Sequence, residues 1–359
     1  MAKHVYIHIP FCKKICSYCD FCKFEYNEKW VGAYLKALSN EIKDRYMEDT
    51  IKTIYIGGGT PSALSESELR RLLKMTTWFK KEEKIEFTFE CNLCDVTEDK
   101  LLILKEYGVN RLSIGIESFQ KKNLEFMERT ADYKDAKEKM RLCRKLGFNN
   151  INLDLMYAIP RETMRDLKKD VSMFISLDPE HISTYSLLLE EHTKAYINNE
   201  QYIDEELDYE MFLYINEKLN QAHHYEISNF ALPGCESLHN LAYWNNEEYY
   251  GFGLSAAGYI DNIRYTNTKS FKQYLLGNCV KEKEFVGIEE KMKYEVMLGL
   301  RKLEGINKKD FYQKYGKQFE EVFDIKDLLK NKDLIEKKEY IYIHPDKLYI
   351  MNEILLKLI

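Results

Sequence analysis

Three cysteines near the amino terminus have the spacing of a metal-binding loop. Cys12, Cys16 and Cys19 follow Tyr6 to Phe11, a short apolar run whose β-branched residues predict a strand. A loop at a strand end can bring three thiolates to one centre, and thiolates bind both zinc and iron–sulfur clusters. Three cysteine ligands would leave one iron of a cluster open to an exchangeable ligand, so the spacing favours a cluster.

A structural zinc site is the alternative interpretation. Zinc in such sites is closed by four protein ligands, and the loop supplies no fourth ligand at the matching spacing. Cys22 and His8 are the nearest candidates for the fourth position. A zinc-stabilised barrel of unknown role therefore stays open as a hypothesis.

Glycines and carboxylates stand at corresponding places further along the chain. Gly57 to Pro61 follows a second apolar run, and a run of glycines lets backbone amides approach a ligand closely. Glu90, Glu117 and Asp154 lie at the ends of three later apolar runs. Each of these residues is thus at the end of a different predicted strand.

A parallel sheet would bring these strand ends together. From His4 to about Leu188, apolar strands alternate with helical stretches, which is the pattern of repeated β-α units. Barrels of this kind place their active sites on the rim formed by the carboxyl ends of the strands. We therefore predict an α/β fold, a partial (β/α)6 barrel. The predicted strands are residues 5–9, 53–56, 85–90, 111–116, 150–154 and 181–187.

The chain divides into three regions. Residues 1–188 are predicted to form the barrel core, and residues 189–285 a barrel-associated extension whose loop contains His239 to Trp244. Residues 286–359 are rich in Lys, Glu and Leu, which predicts a small helix-rich domain similar to a winged helix. Residues 340–344 and 348–350 are predicted to form a hairpin within it.

Composition narrows the class of protein. The 359 residues include 53 Lys and Arg against 59 Asp and Glu, and no basic tract suggests nucleic acid as a partner. No apolar run approaches the roughly 20 residues needed to span a bilayer, and the start of the chain leaves no room for a signal peptide. We expect a cytoplasmic protein, in which nine cysteines serve as metal ligands and buried thiols rather than disulfides.

Several motifs together resemble a known family. The stretches Tyr6 to Cys12, Gly57 to Ser62, Asn110 to Phe119 and Asn152 to Tyr157 resemble the oxygen-independent coproporphyrinogen III oxidase family of the radical S-adenosylmethionine (SAM) superfamily. His239 to Trp244 is similar to the H-N-x-x-Y-W motif of the HemW branch of that family, the haem chaperones. The resemblance covers nearly the whole chain.

The resemblance implies a set of cofactors and residues. Cys12, Cys16 and Cys19 would bind a [4Fe-4S] cluster whose fourth iron is the site for SAM. The residues that would surround SAM are Tyr6, Tyr18, Gly58, Gly59, Thr60, Glu90, Glu117, Arg129 and Asp154. His239, Tyr243 and Trp244 would contact haem, although a single loop histidine is more often a structural residue and the two aromatic residues could simply pack the loop.

Two functions follow from this resemblance. The first is a haem chaperone that binds haem as cargo and transfers it to apo-haemoproteins such as respiratory cytochromes. The alternative is an enzyme that decarboxylates coproporphyrinogen III to protoporphyrinogen IX by SAM-radical chemistry. The chaperone is favoured because the chain starts almost at its first strand, without the oxidases' N-terminal extension, and has no further cysteine two residues after Cys19. No anchor is encoded, so any membrane association would be transient.

The sequence also departs from the family pattern. Glu117 stands where the family usually has glutamine, which replaces a neutral amide by an acid. Cys91 to Cys94 follows Glu90 in place of the usual Asn-Pro turn, and either an extra thiol pair or two buried cysteines would explain it. We expect two buried cysteines.

Overall fold

The computed structural model describes residues 1–220 and 222–359. The strands of the described residues are β1 (His4–Ile9), β2 (Phe11–Cys12), β3 (Phe24–Glu25), β4 (Thr50–Gly58), β5 (Lys80–Asn92), β6 (Arg111–Glu117), β7 (Ile151–Tyr157), β8 (His181–Ser186), β9 (His223–Glu226), β10 (Asn229–Ala231), β11 (Tyr249–Phe252), β12 (Ala257–Ile260), β13 (Ile263–Asn267), β14 (Val280–Phe285), β15 (Ile306–Asn307), β16 (Leu334–Lys337) and β17 (Tyr340–Ile343).

The helices of the same residues are α1 (Glu28–Arg45), α2 (Glu66–Met75), α3 (Glu98–Glu106), α4 (Lys121–Met127), α5 (Tyr133–Lys145), α6 (Met164–Ser176), α7 (Lys194–Ile197), α8 (Glu205–Lys218), α9 (Leu238–Trp244), α10 (Phe271–Leu275), α11 (Ile288–Gly299), α12 (Lys308–Tyr315), α13 (Phe319–Val322), α14 (Lys326–Lys330) and α15 (Met351–Leu356). None of them is long and apolar enough to cross a membrane.

The six predicted strands are confirmed as neighbours in one parallel array. They are β1, β4, β5, β6, β7 and β8, hydrogen-bonded in that order. Apolar residues of these strands that point outward are covered by helices, which explains their near-continuous apolar character. A capping box starts α2, with Ser65 and Glu68 bonding reciprocally.

The prediction that His239 to Trp244 lie in a loop is wrong. The Ser237 side chain accepts a hydrogen bond from the Asn240 amide and starts α9, so the H-N-x-x-Y-W segment is a helix. The chain then enters β11, which pairs in parallel with β1. Strands β12, β13 and β14 continue the sheet beyond β11 in antiparallel order, so the extension enlarges the barrel sheet.

The carboxyl-terminal region has its own core and small sheet. Apolar residues from Met292 to Leu355 pack together, and β15, β17 and β16 form a three-stranded sheet. The predicted hairpin is displaced, because its strands are β16 and β17 with Lys338 in a left-handed turn conformation (φ 56°). Residues 345–350 form a 3-10 helix that begins at Pro345, which cannot donate a backbone hydrogen bond to a sheet.

Candidate cluster and SAM cavity

A cavity of about 500 Å³ opens where the carboxyl ends of the parallel strands meet the cysteine loop. Cys12, Cys16 and Cys19 all line it, together with the glycines after β4 and the polar ends of β5, β6 and β7. The convergence predicted from the strand ends is therefore present in the structure. A space of this size is in the usual range for small-molecule sites.

Backbone hydrogen bonds hold the cysteine loop at both ends. The Phe24 amide donates to the Pro10 carbonyl at 2.7 Å, and the Tyr26 amide donates to the Cys12 carbonyl at 2.8 Å. In the middle of the loop, the Ser17 hydroxyl donates to the carbonyl of Phe126 in α4 at 2.6 Å. The loop thus has a fixed course across the cavity.

Two of the three sulfur atoms have hydrogen-bond donors beside them. The Thr60 hydroxyl lies 3.4 Å from Cys12 Sγ, and Arg129 Nη1 lies 3.5 Å from Cys16 Sγ. Burial raises the pKa of the Cys12 thiol to about 11, with the Thr60 contact acting in the opposite direction. Burial alone favours the protonated thiol, whereas donors at sulfur stabilise a thiolate ligand and would suit one that is bound to a metal.

The glycines at the carboxyl end of β4 leave space that a side chain would fill. A β-carbon on Gly59 would lie 2.9 Å from the Ile9 carbonyl oxygen and 3.1 Å from Cys12 Sγ. One on Gly57 would lie 2.6 Å from the Glu90 carboxyl. The glycine run is therefore required by the close approach of β4 to the cysteine loop and to Glu90.

The fourth ligands considered for zinc have other partners. His8 lies within hydrogen-bond distance of the Tyr6 hydroxyl through Nδ1 (3.0 Å) and of the Cys22 carbonyl through Nε2 (2.9 Å). The Cys22 thiol is hydrogen-bonded to Ser255, which lowers its pKa while burial, the larger effect, raises it. Across residues 1–220 and 222–359, no three His, Cys, Asp or Glu side chains are placed to hold a single metal ion.

Glu90 and Glu117 are acids near the carboxyl ends of the neighbouring strands β5 and β6. Glu90 accepts hydrogen bonds from the Tyr55 hydroxyl (2.8 Å) and the Gly58 amide (3.0 Å). Glu117 accepts one from the Tyr185 hydroxyl at 2.5 Å. Burial raises the pKa of each carboxyl group to about 7, so both can gain or lose a proton near neutral pH.

Arg129 is a cation that lies close to both Cys16 and Glu117. It donates through Nη2 to the Gly115 carbonyl at 2.7 Å and to Asn92 Oδ1 at 3.0 Å, and its Nη1 lies 3.8 Å from Glu117. Asp154 accepts a hydrogen bond from Asn152 at 2.7 Å, and burial raises the pKa of the Asp154 carboxyl. The cavity therefore presents acids together with a fixed guanidinium, a combination suited to a zwitterionic, cationic ligand.

Most of the predicted SAM residues line the cavity. Those that do are Tyr18, Gly58, Gly59, Thr60, Glu90, Glu117, Arg129 and Asp154. Tyr6 is outside the described lining, and its hydroxyl contacts His8 instead. The additional lining residues not singled out from the sequence include Tyr55, Arg111, Ser113, Asn152 and Tyr185. Alternation along β6, from Arg111 through Ser113 and Gly115 to Glu117, was a signal that could have found part of this set.

His239, the first of the predicted haem contacts, lies in the protein interior. His239 is 1% exposed, with Nδ1 2.7 Å from the Thr53 hydroxyl and Nε2 2.8 Å from the Tyr243 hydroxyl. Burial lowers the pKa of His239 well below its usual range, so the imidazole is neutral. Both ring nitrogens are engaged, and a haem iron could reach one only if α9 moved. Trp244, half-buried at the end of α9, faces the carboxyl-terminal region.

The cysteine pair after Glu90 is split between two environments. Cys91 is buried and lines the cavity, whereas Cys94 is exposed. The expectation that both cysteines are buried is therefore wrong for Cys94. The 3-10 turn at Leu93–Asp95 directs the two side chains to different sides.

Comparison with known proteins identifies the class of protein. Residues 6–174 match the radical SAM superfamily, and residues 289–343 match the HemN C-terminal domain. The chain superposes on coproporphyrinogen III oxidase (HemN) from Escherichia coli with a TM-score of 0.88, over 99% of this chain and 90% of that one, at 21% identity. The fold is thus that of a radical SAM protein.

Relatives of higher identity specify the family. Heme chaperone HemW of Bacillus subtilis (strain 168) is 40% identical over 98% of both chains. The protein of the same name from Lactococcus lactis (strain IL1403) is 37% identical over 94% of this chain and 92% of its own, and that from Escherichia coli (strain K12) is 31% identical over 86% and 84%. This chain belongs to the HemW family of radical SAM proteins.

Proposed function

We propose that the chain is a haem chaperone that carries a [4Fe-4S] cluster and SAM. The observation that carries the cluster and SAM parts is the single cavity lined by Cys12, Cys16 and Cys19. The three thiols, the glycine-lined gap beside Cys12 and the donors at two sulfurs fit a cluster with one open iron. When bound, such a cluster supplies one-electron reduction of SAM.

The residues around the cavity suit SAM as a ligand. SAM has a cationic sulfonium and ammonium, one carboxylate and two ribose hydroxyls. Arg129 would hold the carboxylate, and the buried acids Glu90, Glu117 and Asp154 would accept hydrogen bonds from the ammonium and hydroxyl groups. Gly58 and Gly59 leave backbone groups accessible to the ligand.

Haem is proposed as cargo, with apo-haemoproteins such as respiratory cytochromes as recipients. Support for this part comes from the relatives named heme chaperone HemW, which match nearly the whole chain. His239, Tyr243 and Trp244 stay the proposed haem contacts, on the condition that α9 rearranges, because His239 is enclosed in the present conformation. The proposal includes a cytoplasmic location and at most transient membrane association.

The cluster assignment is tested by reconstitution. The full chain is incubated anaerobically with iron and sulfide, and iron and sulfide content, absorbance and SAM binding are measured. Cys16→Ser should lower the iron content and abolish SAM binding, because it removes one of three ligands. Cys94→Ser, which changes an exposed cysteine, is the matched control and should behave like the unmodified chain. Zinc without iron would refute the cluster assignment.

The chaperone and oxidase hypotheses differ in their products. We expect the reconstituted protein to bind haem and transfer it to an apo-cytochrome, and to leave coproporphyrinogen III unchanged in the presence of SAM and a reductant. Protoporphyrinogen IX formed at enzymatic rates would overturn the chaperone proposal. For the haem contact, His239→Ala with unchanged haem affinity would remove His239 from the site, provided that the variant is folded.

A further inference from the structure

The floor of the cavity holds an arginine without a counter-ion. Arg111 starts β6, is 2% exposed, and lines the cavity. Its Nε is buried without a hydrogen-bond partner among the residues described. Within the same residues, the arginines that form ion pairs are Arg45, Arg70, Arg129, Arg144 and Arg161. Burial of a guanidinium without a nearby anion is unfavourable, so Arg111 is available to an anionic ligand.

Nearby carboxylates already have other donors. Glu86 accepts hydrogen bonds from the first two amides of α9, at 2.9 and 3.0 Å. Asp154 is bonded to Asn152, and Glu90 to the end of β4 and a tyrosine. These carboxylates satisfy other groups. Burial raises the pKa of Asp154 and the Arg111 charge opposes this effect from beyond ion-pair distance, so the described part of the protein supplies no anion within ion-pair distance of Arg111.

The SAM carboxylate is too far along the barrel to serve Arg111. Gly115, whose carbonyl accepts from Arg129, lies four residues after Arg111 on β6. At a rise of about 3.3 Å per residue, the backbone positions of Arg111 and Gly115 are about 13 Å apart along β6. An extended Arg111 side chain spans only part of that distance. A carboxylate held at Arg129 therefore leaves the floor arginine without an anion.

The polar residue that follows Arg111 on the same face of β6 is Ser113, which is neutral and also lines the cavity. The floor at the start of β6 thus combines one cation without an ion-pair partner and a neutral hydroxyl group.

We propose that this floor is a binding subsite for an organic carboxylate, centred on Arg111 and separate from Arg129, to which the SAM carboxylate is assigned. The carboxylate would come either from a small free acid or from a propionate arm of a tetrapyrrole that reaches in through the mouth. The proposal rests on the proposed function in one respect, since it leaves the SAM carboxylate to Arg129.

The first test uses propionate as the probe. Sodium [1-¹³C]propionate is titrated by NMR into the reconstituted full chain, with and without SAM, against the neutral isostere propionamide. We expect propionate to bind about tenfold or more tightly than propionamide, because a charge-assisted hydrogen bond is lost with the amide. Arg111→Gln should abolish the difference in affinity between propionate and propionamide, and Arg111→Lys should keep part of it. Arg165→Gln changes an exposed arginine of α6 and should leave the difference unchanged.

The second test distinguishes the source of the carboxylate. Haem and haem dimethyl ester are titrated into the same variants. A preference for haem that is lost in Arg111→Gln identifies a propionate arm, whereas propionate binding without such a preference identifies a free acid.

The proposal is overturned if the unmodified chain binds propionate no more tightly than propionamide and binds haem no more tightly than its dimethyl ester. This comparison uses the unmodified chain alone, so it does not depend on whether a variant folds. It is also overturned if Arg111→Gln loses SAM affinity, because Arg111 would then belong to the SAM site. SAM binding by the unmodified chain is measured separately, so its absence would refute the proposed function without deciding the carboxylate subsite.

Discussion

Glu117 owes its position to a backbone irregularity. The register of β6 against β7 shifts between Gly115 and Glu117, and Glu117 has a φ of 70°, in the left-handed region. An extra residue at a strand end redirects the following side chain, which here points into the cavity. The strained conformation and the buried acid coincide with the ligand-facing rim, where such strain is commonly found.

The pH dependence of SAM binding should report Glu117. SAM has one net positive charge, so ionised Glu117 favours binding, and affinity should rise with pH through about 7. Glu117→Gln keeps an acceptor for Tyr185 but removes the charge, and should lower SAM affinity at pH 8 by up to about tenfold with little change at pH 6. Equilibrium dialysis at both pH values measures this effect.

The remaining pH dependence in this variant would come from Glu90. Glu125→Gln on the exposed side of α4 is the control, since that carboxyl lies away from the cavity. Identical pH profiles for the unmodified chain and Glu117→Gln would show that Glu117 does not interact with SAM.

Glu90 should also affect stability before any cofactor binds. Its folded-state pKa of about 7 lies above the usual 4.5, so the folded state holds the proton more tightly, and stability should fall as pH rises from about 4.5 to 7. Glu90→Gln removes this titration. We expect the unmodified chain to lose about 2 kcal/mol relative to Glu90→Gln over this range, less than complete burial would give because the cavity hydrates the carboxyl.

Urea unfolding of the cofactor-free proteins at pH 5 and pH 8 measures this difference. If the free energies of unfolding of the unmodified chain and Glu90→Gln differ by the same amount at both pH values, Glu90 has an ordinary pKa in the folded protein.

At the scale of elements, a hydrogen-bonded chain attaches α9 to the barrel. His4 Nε2 lies 3.1 Å from the Glu247 carboxylate and must donate to it, so His4 Nδ1 accepts from the Thr53 hydroxyl at 2.9 Å. The Thr53 oxygen then accepts from His239 Nδ1, and His239 Nε2 accepts from Tyr243. One tautomer of each histidine satisfies every group in the chain, which accounts for a buried histidine without a metal.

Thr53→Val should break this chain in the middle. The valine has nearly the shape of threonine but leaves one nitrogen of each histidine without a partner, which should cost about 2–3 kcal/mol of unfolding free energy. Thr53→Ser retains the hydroxyl and is the control, with a smaller loss. Chemical denaturation of both variants measures the effect, and equal stability of Thr53→Val and the unmodified chain would contradict it.

The glycine turn after β4 can be tested in the same way. Gly59→Ala would place a methyl group 3.1 Å from Cys12 Sγ and 2.9 Å from a backbone oxygen that cannot move freely. We expect the iron content after reconstitution to fall by roughly twofold or more, because a cluster requires its thiolates in place. Gly32→Ala, on α1 with no close neighbour, is the control. Full iron content in Gly59→Ala would show that the turn adapts.

The barrel could be predicted from the sequence because its strands are covered on their outer face and are therefore strongly apolar. The β11 strand, Tyr249–Phe252, could not be, since its glycine and aromatic residues are typical of a loop and its partner β1 is distant in the chain. The cysteine spacing predicted the cluster loop. The floor at Arg111 was missed because a polar residue at the start of a strand is usually exposed, whereas here the side chain is buried in the cavity.

At the scale of the whole molecule, two apolar cores are joined by backbone, polar and aromatic contacts. The carboxyl-terminal core is the smaller one, and its backbone meets the barrel through the Ile227 amide donating to Arg301 and the Leu303 amide donating to Tyr225. Lys302 adds a side-chain bond to Asn245 at 2.7 Å, next to the end of α9. Trp244 lies at this junction, with the Arg301 guanidinium 5.7 Å from its ring.

Trp244 should therefore report separation of the two cores. The sequence has three tryptophans, and Trp30 and Trp78 are exposed, so a variant with both replaced by phenylalanine leaves Trp244 as the single probe. We expect its fluorescence to change at lower urea concentration than the far-ultraviolet circular dichroism, because the smaller core buries less apolar surface. SAM, whose proposed contacts all lie in the barrel, should shift only the second transition. Coincident transitions that SAM shifts together would show instead that the junction makes the chain one cooperative unit.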